Sequence, residues 1–219
     1  MAFTRSDFAN WILVIALVYF ARLGSFLVSG YMYDSIASEA RDRTIEIMLS
    51  SMSRLAFVVG KFSGLVLAGL TQLAGWVSQV GLVVLVVAAA LEIDLIGLFL
   101  AWPYLGIAVL MLLASFLLDQ TLGAAAGILR TSGGAGPQLL NTANIFINFT
   151  LLYAIYFLPI APDSPLAVGA SLFPLTAPIV LLVRLVVSQV PVWQIWLSVG
   201  ILWLSVAGML YLLSRLLNA

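Results

Sequence analysis

Charge is what this sequence lacks over long distances. Between Lys61 and Glu92 there are 30 uncharged residues, between Asp94 and Asp119 there are 24, between Arg130 and Asp163 there are 32, and between Arg184 and Arg215 there are 30. About 20 apolar residues cross a bilayer as a helix, so each run is long enough to span. Trp11 to Tyr33 is long enough too, although Arg22 sits in its middle. The runs are uniformly apolar and do not alternate, which argues against a membrane barrel with its polar inner face. Only 8% of the chain is charged, against roughly 25% in an ordinary globular domain. Too few polar groups remain to clothe a soluble fold. Composition thus excludes a soluble domain, a disordered tail and a nucleic-acid binder, and leaves an all-α integral membrane protein. Five spans are expected, near 9–33, 57–90, 97–127, 139–158 and 192–213.

Cysteine and histidine are both absent. Disulfides, thiolate nucleophiles, Cys/His metal sites and histidine acid–base chemistry are therefore excluded. The N-terminus is no cleavable signal, because Arg5 and Asp7 precede an apolar run longer than a signal core. The stretch 166–190 is apolar but carries Pro174, Pro178 and Arg184. Proline starts or breaks helices, so two short helical pieces are expected there, dipping into the outer membrane face and returning. Orientation follows from basic residues. With the loop after the first span in the cytoplasm, Arg41, Arg43, Arg54, Lys61, Arg130 and Arg215 lie inside, against Arg5 and Arg184 outside. That satisfies the positive-inside rule and puts the N-terminus outside and the C-terminus in the cytoplasm.

The same loop concentrates charge between Asp34 and Arg54. Glu39, Asp42, Arg43 and Glu46 recur at helical spacing on one face, and Ile45, Met48, Leu49 and Met52 on another. Residues 35–52 are expected to form an amphipathic helix on the inner membrane surface, resting in lipid or docked on a partner. Gly60 and Gly64 form a GxxxG that lets a second helix approach closely. Gly60-Lys61 is not a phosphate-binding loop: no glycine lies five residues before Gly60, and Phe62 stands where Ser or Thr is needed. Catalytic constellations are absent as well. Arg22 and Asp119 are the charges at or near membrane depth. An arginine at mid-span costs about 2.5–3.5 kcal/mol, so Arg22 should face protein or water. The two are expected to snorkel or bond backbone carbonyls separately, rather than to pair.

Several stretches together resemble the permease subunits of ATP-binding-cassette exporters of the type-2 class. They are Glu39, Arg43-Thr44-Ile45-Glu46, Met48-Leu49-Ser50-Ser51 and Gly60-Lys61-Phe62-Ser63-Gly64, with Gln72 downstream. Leu172-Phe173-Pro174-Leu175-Thr176-Ala177-Pro178, then Arg184 and Pro191-Val192-Trp193, is similar to the exterior re-entrant element of that class. The stretch from Leu122-Gly123-Ala124 to Pro137-Gln138 is similar to its cytoplasmic turn. Arg43-Thr44 and the Pro-Leu-Thr-Ala-Pro run look most like the sodium-efflux-type permeases. The serine stretch lacks the proline that the class often has. Such permeases usually begin with an extra span and often a large exterior domain, whereas this chain starts where their second span would.

The resemblance implies a transport subunit of the cell membrane, not an enzyme. ATP and Mg²⁺ would belong to a separate ABC ATPase, and this chain would hold no cofactor or metal. Residues 35–52, with Glu39, Arg43, Thr44, Glu46, Met48, Leu49 and Ser50, would be the coupling helix against that ATPase. A second permease chain, identical or not, would complete the pathway, and Arg22, Asp119 and Arg184 are candidates for its polar lining. The other reading is a non-transporting assembly or anchoring subunit.

Overall fold

The computed structural model describes residues 5–41, 103–131 and 134–216, together with isolated positions between 51 and 82. Six complete helices carry the described fold: α1 (Arg5–Arg41), α2 (Leu105–Thr131), α3 (Gly136–Tyr156), α4 (Pro165–Leu172), α5 (Ala177–Val187) and α6 (Val192–Leu216). No strand occurs among the described residues. Among the described residues, four stretches are long and apolar enough to cross a membrane: Val14–Ser38, Leu105–Arg130, Gly136–Tyr156 and Val192–Leu213. The remaining expected span, 57–90, lies mostly outside the described residues, though its described positions are helical.

Helix boundaries follow local chemistry. α1 contains no proline and runs unbroken for 37 residues, about 55 Å at 1.5 Å per residue. A hydrocarbon core is only about 30 Å thick, so α1 protrudes from it. The span expected near 9–33 and the surface helix expected over 35–52 join without interruption as far as Arg41: Asp34 to Arg41 continue α1. Charge begins at Asp34, but charge alone does not end a helix. Of the third expected span, residues 97–102 lie outside the described residues; Pro103 and Tyr104 form a turn and the described helix begins at Leu105. At its other end α2 continues through Leu122, Gly123 and Ala124 to Thr131, so the turn into α3 comes after that stretch. α3 opens with Pro137 in its first turn, where the missing N–H costs nothing.

Two short helices, 165–172 and 177–187, are present where a pair was expected in 166–190. Ser164 caps α4 by accepting the Ala167 N–H through its hydroxyl, 3.3 Å away. Thr176 closes the turn into α5, donating to the carbonyls of Ala170 at 2.6 Å and Phe173 at 3.2 Å. Every residue of α5 from Ala177 to Leu185 is buried. Packed around it are Val14 and Val18 of α1, Met111 of α2, Leu151 of α3, and Ile195 and Leu202 of α6.

Among the described helices, α1 and α2 form the most extensive pair, and they run parallel. Arg22 meets Asp119, the Ser29 carbonyl lies against Gly123, the Tyr33 carbonyl against Gly127, and Asp34 meets Arg130. Contacts thus keep a nearly constant offset along both helices. Gly123 and Gly127 permit it: a Cβ at Gly123 would collide with the Ser29 carbonyl, and one at Gly127 would sit 3.0 Å from that of Tyr33. Small residues at this spacing bring two membrane helices together. Among the described residues, no helix approaches Gly60 or Gly64 in this way. Both are exposed, and a Cβ on either meets nothing within 4 Å.

Candidate functional site

Arg22 projects from the middle of α1 and Asp119 from the middle of α2. The guanidinium spans the carboxylate with two parallel contacts, Nη1 to Oδ2 at 2.8 Å and Nη2 to Oδ1 at 3.0 Å. Only 4% of the Arg22 side chain and 8% of the Asp119 side chain are exposed. The Ser25 hydroxyl, one turn below Arg22, donates to the same Asp119 Oδ2. Gln120 donates its amide to the Ser25 carbonyl at 3.3 Å. The expectation that Arg22 and Asp119 act separately is corrected: they pair directly. The parallel course of α1 and α2 brings both charges to one height, and a forked guanidinium meets a carboxylate best in this two-bond geometry.

Such a pair is no simple source of stability, because stripping water from two ions offsets most of their attraction. It is strongly position-specific all the same. Neither charge can leave the other without exposing a bare ion to a medium that cannot solvate it. The cluster therefore fixes the register of α1 against α2.

Beside the pair lies a cavity of about 180 Å³ between α1, α2 and α3. Arg22 and Asp119 form part of its wall, together with Tyr19 and Ser29 of α1 and Asn144 and Asn148 of α3.

Arg184 does not join this site. It lies in α5, 1% exposed, at the centre of a second cluster. Its Nη1 donates to Ser171 Oγ of α4 at 3.0 Å and to Gln194 Oε1 of α6 at 3.3 Å, and Nη2 meets Asp163 Oδ1 at 3.1 Å. Ser198 of α6 donates to the Ser171 carbonyl at 2.6 Å. One cation thus ties α4, α5, α6 and the loop after α3 together. At the far end of the α1–α2 pair, Arg130 lies 4.0 Å from Asp34, with its guanidinium 5.3 Å from the Tyr33 ring centroid.

Of the expected coupling residues, Glu39 belongs to the last turn of α1. Arg43, Thr44, Glu46, Met48, Leu49 and Ser50 lie outside the described residues. Sequence reasoning overlooked Ser25, Gln120, Ser171, Gln194 and Asp163. A signal existed for two sets. Arg22, Ser25 and Ser29 follow helical spacing along an otherwise apolar span, and Gln194 and Ser198 are one turn apart. No group of three or more metal-ligating side chains occurs among the described residues.

The arrangement is a helical bundle with paired charges held at membrane depth, and similarity to known proteins agrees with it. The family model described as "ABC-2 family transporter protein" matches residues 2–215. The chain is 25% identical over 205 residues to the uncharacterized protein MJ1024 of Methanocaldococcus jannaschii, covering 93% of this chain and 48% of that protein. It is 23% identical over 199 residues to the uncharacterized protein YhaP of Bacillus subtilis, covering 89% of this chain and 46% of that one. The chain therefore spans about half the length of these curated relatives. No solved structure matches it. With a family match along nearly its whole length and four apolar helices able to cross a bilayer, the chain is a multi-pass membrane protein that belongs to the ABC-2 family of transporter proteins.

Proposed function

We propose that the chain is the permease subunit of an ATP-driven exporter and moves substrate by alternating access, powered by a separate ABC ATPase. The observation that carries this reading is the unbroken course of α1. A helix of 37 residues runs from the bundle into the segment that bears Glu39. Its central Arg22 is locked to Asp119 of α2. A push on the inner end of such a rod is delivered to the bundle core without a flexible joint to absorb it. Residues 35–52 then act as the coupling element, with Glu39, Arg43 and Glu46 as its polar rim and Met48 and Leu49 on its apolar stripe.

Family membership supports an ABC ATPase and a second permease chain as partners. In this scheme the N-terminus is outside and the C-terminus is in the cytoplasm. Five spans fit the parallel course of α1 and α2, since two parallel neighbours require an odd number of crossings between them. The short helices α4 and α5 form the outer re-entrant element, with Arg184 holding them to α6. GxxxG packing through Gly60 and Gly64 falls to the second permease chain.

The test is reconstitution with the cognate ATPase, reading ATPase capture and substrate-stimulated ATP hydrolysis. Leu49→Asp should abolish both, because docking would desolvate a carboxylate without a partner. Glu46→Ala should lower hydrolysis strongly if the glutamate is buried in the contact, where loss of a charge pair costs about 2–5 kcal/mol. Wild-type capture and hydrolysis in both variants would overturn the coupling assignment. Capture without any substrate-dependent hydrolysis in the unaltered chain would identify an anchoring subunit instead.

A further inference from the structure

The cavity beside the Arg22–Asp119 pair combines three properties: it is electrically neutral, it carries unused hydrogen-bonding capacity, and lining residues on both its α1 and α3 sides are exposed. We propose that it binds the uncharged polar headgroup of a membrane amphiphile, which enters from the bilayer between α1 and α3 and leaves its apolar tail in lipid.

Charge sets the class of guest. Arg22 is the cation of the wall and Asp119 its anion, and each is engaged by the other. A guest cation would face Arg22, and a guest anion would compete with Asp119 for the guanidinium. Either ion would give up its water with no free counter-charge in return. A hydroxyl or amide brings no such penalty.

Hydrogen bonding gives that guest its hold. On α3 the Asn148 amide nitrogen donates to the Asn144 carbonyl at 2.8 Å and to Asn144 Oδ1 at 3.0 Å. Among the described residues no donor reaches the side-chain Oδ1 of Asn148. Acyl chains cannot satisfy this acceptor. A headgroup bearing hydroxyls can.

Access is lateral. Tyr19 and Phe26 on the α1 side of the cavity are 44% and 41% exposed, and Asn148 on the α3 side is exposed. Gly69, in the helical positions between 51 and 82, sits against Val28 and Phe116. Val28 is about 200° around α1 from Phe26, so that packing occupies the face of α1 turned away from the cavity. Size fits as well. A dry cavity of about 150 Å³ accepts benzene, and this one, at about 180 Å³, has room for a headgroup of several heavy atoms.

The experiment uses the full chain in phosphatidylcholine nanodiscs, without ATP or ATPase, so its failure leaves the permease reading untouched. The probe is a long-chain monoacylglycerol carrying a diazirine beside the headgroup. The matching fatty acid and alkylammonium probes are the charged controls. After photolysis, label should map to peptides within 19–29 and 140–151 and be competed by unlabelled monoacylglycerol. It should exceed that of either charged probe at least tenfold, a difference a modest binding preference produces. Ala143→Trp, which fills the cavity, should remove the label from these peptides. Asn148→Leu, at an exposed position that folding tolerates, should lower it about fivefold, the worth of one hydrogen bond. Equal labelling by a charged probe, or cavity labelling unchanged in Asn148→Leu, would overturn the proposal. So would label spread evenly over the lipid-facing helices.

Discussion

Replacing Asp119 by leucine would leave the Arg22 guanidinium inside the bundle with no counter-charge. Both side chains are more than nine-tenths buried. The change removes the 2.8 Å and 3.0 Å contacts and the acceptor of the Ser25 hydroxyl. Breaking a buried pair by deleting one partner costs about 3–5 kcal/mol, mostly through the orphaned charge. Insertion scales bound the cost from below, since a lone arginine at mid-helix costs about 2.5–3.5 kcal/mol even when it can snorkel. Asp119→Leu should therefore destabilise the bundle by about 3–5 kcal/mol. Arg22→Met combined with Asp119→Leu should recover most of that loss, because two apolar side chains of similar volume replace the pair without desolvating an ion. Reversible unfolding in mixed micelles with increasing SDS, followed by tryptophan fluorescence, provides the double-mutant cycle. Independent sites would add to within about 0.5 kcal/mol, whereas a coupling of at least about 2 kcal/mol is expected here. A loss below about 1 kcal/mol in Asp119→Leu, or a double variant as unstable as the sum of its singles, would refute the paired, dry cluster.

Asp163 is 67% exposed at its side chain but answers the buried Arg184. Asp163→Ala should thus cost about 1–3 kcal/mol, where an ordinary surface change stays within about 0.5 kcal/mol; thermal unfolding in detergent reads the difference. Gly123→Val should separate α1 from α2 and cost about 1–3 kcal/mol as overpacking, whereas Gly64→Val should leave unfolding of the single chain nearly unchanged. Cysteines placed at Ser50 and Ser132 should react with an impermeant thiol reagent only once the cytoplasmic face is opened, and one at Ser164 from outside. Labelling of Ser50→Cys and Ser164→Cys from the same side would refute the five-span scheme.

Hydropathy alone located the spans at 139–158 and 192–213, because crossing a bilayer demands a long apolar run whatever surrounds it. Prolines at 174 and 178 marked the two short helices for an equally local reason, the missing N–H and fixed φ of the ring. The unbroken α1 was legible too, since no proline interrupts it up to Arg41, but the onset of charge at Asp34 looked like a boundary. Helix ends are set by backbone and capping chemistry, not by the polarity of the solvent-facing side chains. Partnership was a different matter. Arg22 and Asp119 stand 97 positions apart in sequence, and nothing local says whether two membrane charges meet or snorkel apart. The parallel registration of α1 and α2 decides it, and that registration depends on close approach at Gly123 and Gly127. The same holds for Arg184, whose partners Asp163, Ser171 and Gln194 come from three different segments. A sequence states that a buried charge must be satisfied, because lipid cannot solvate it; only the packing of helices determines which group satisfies it.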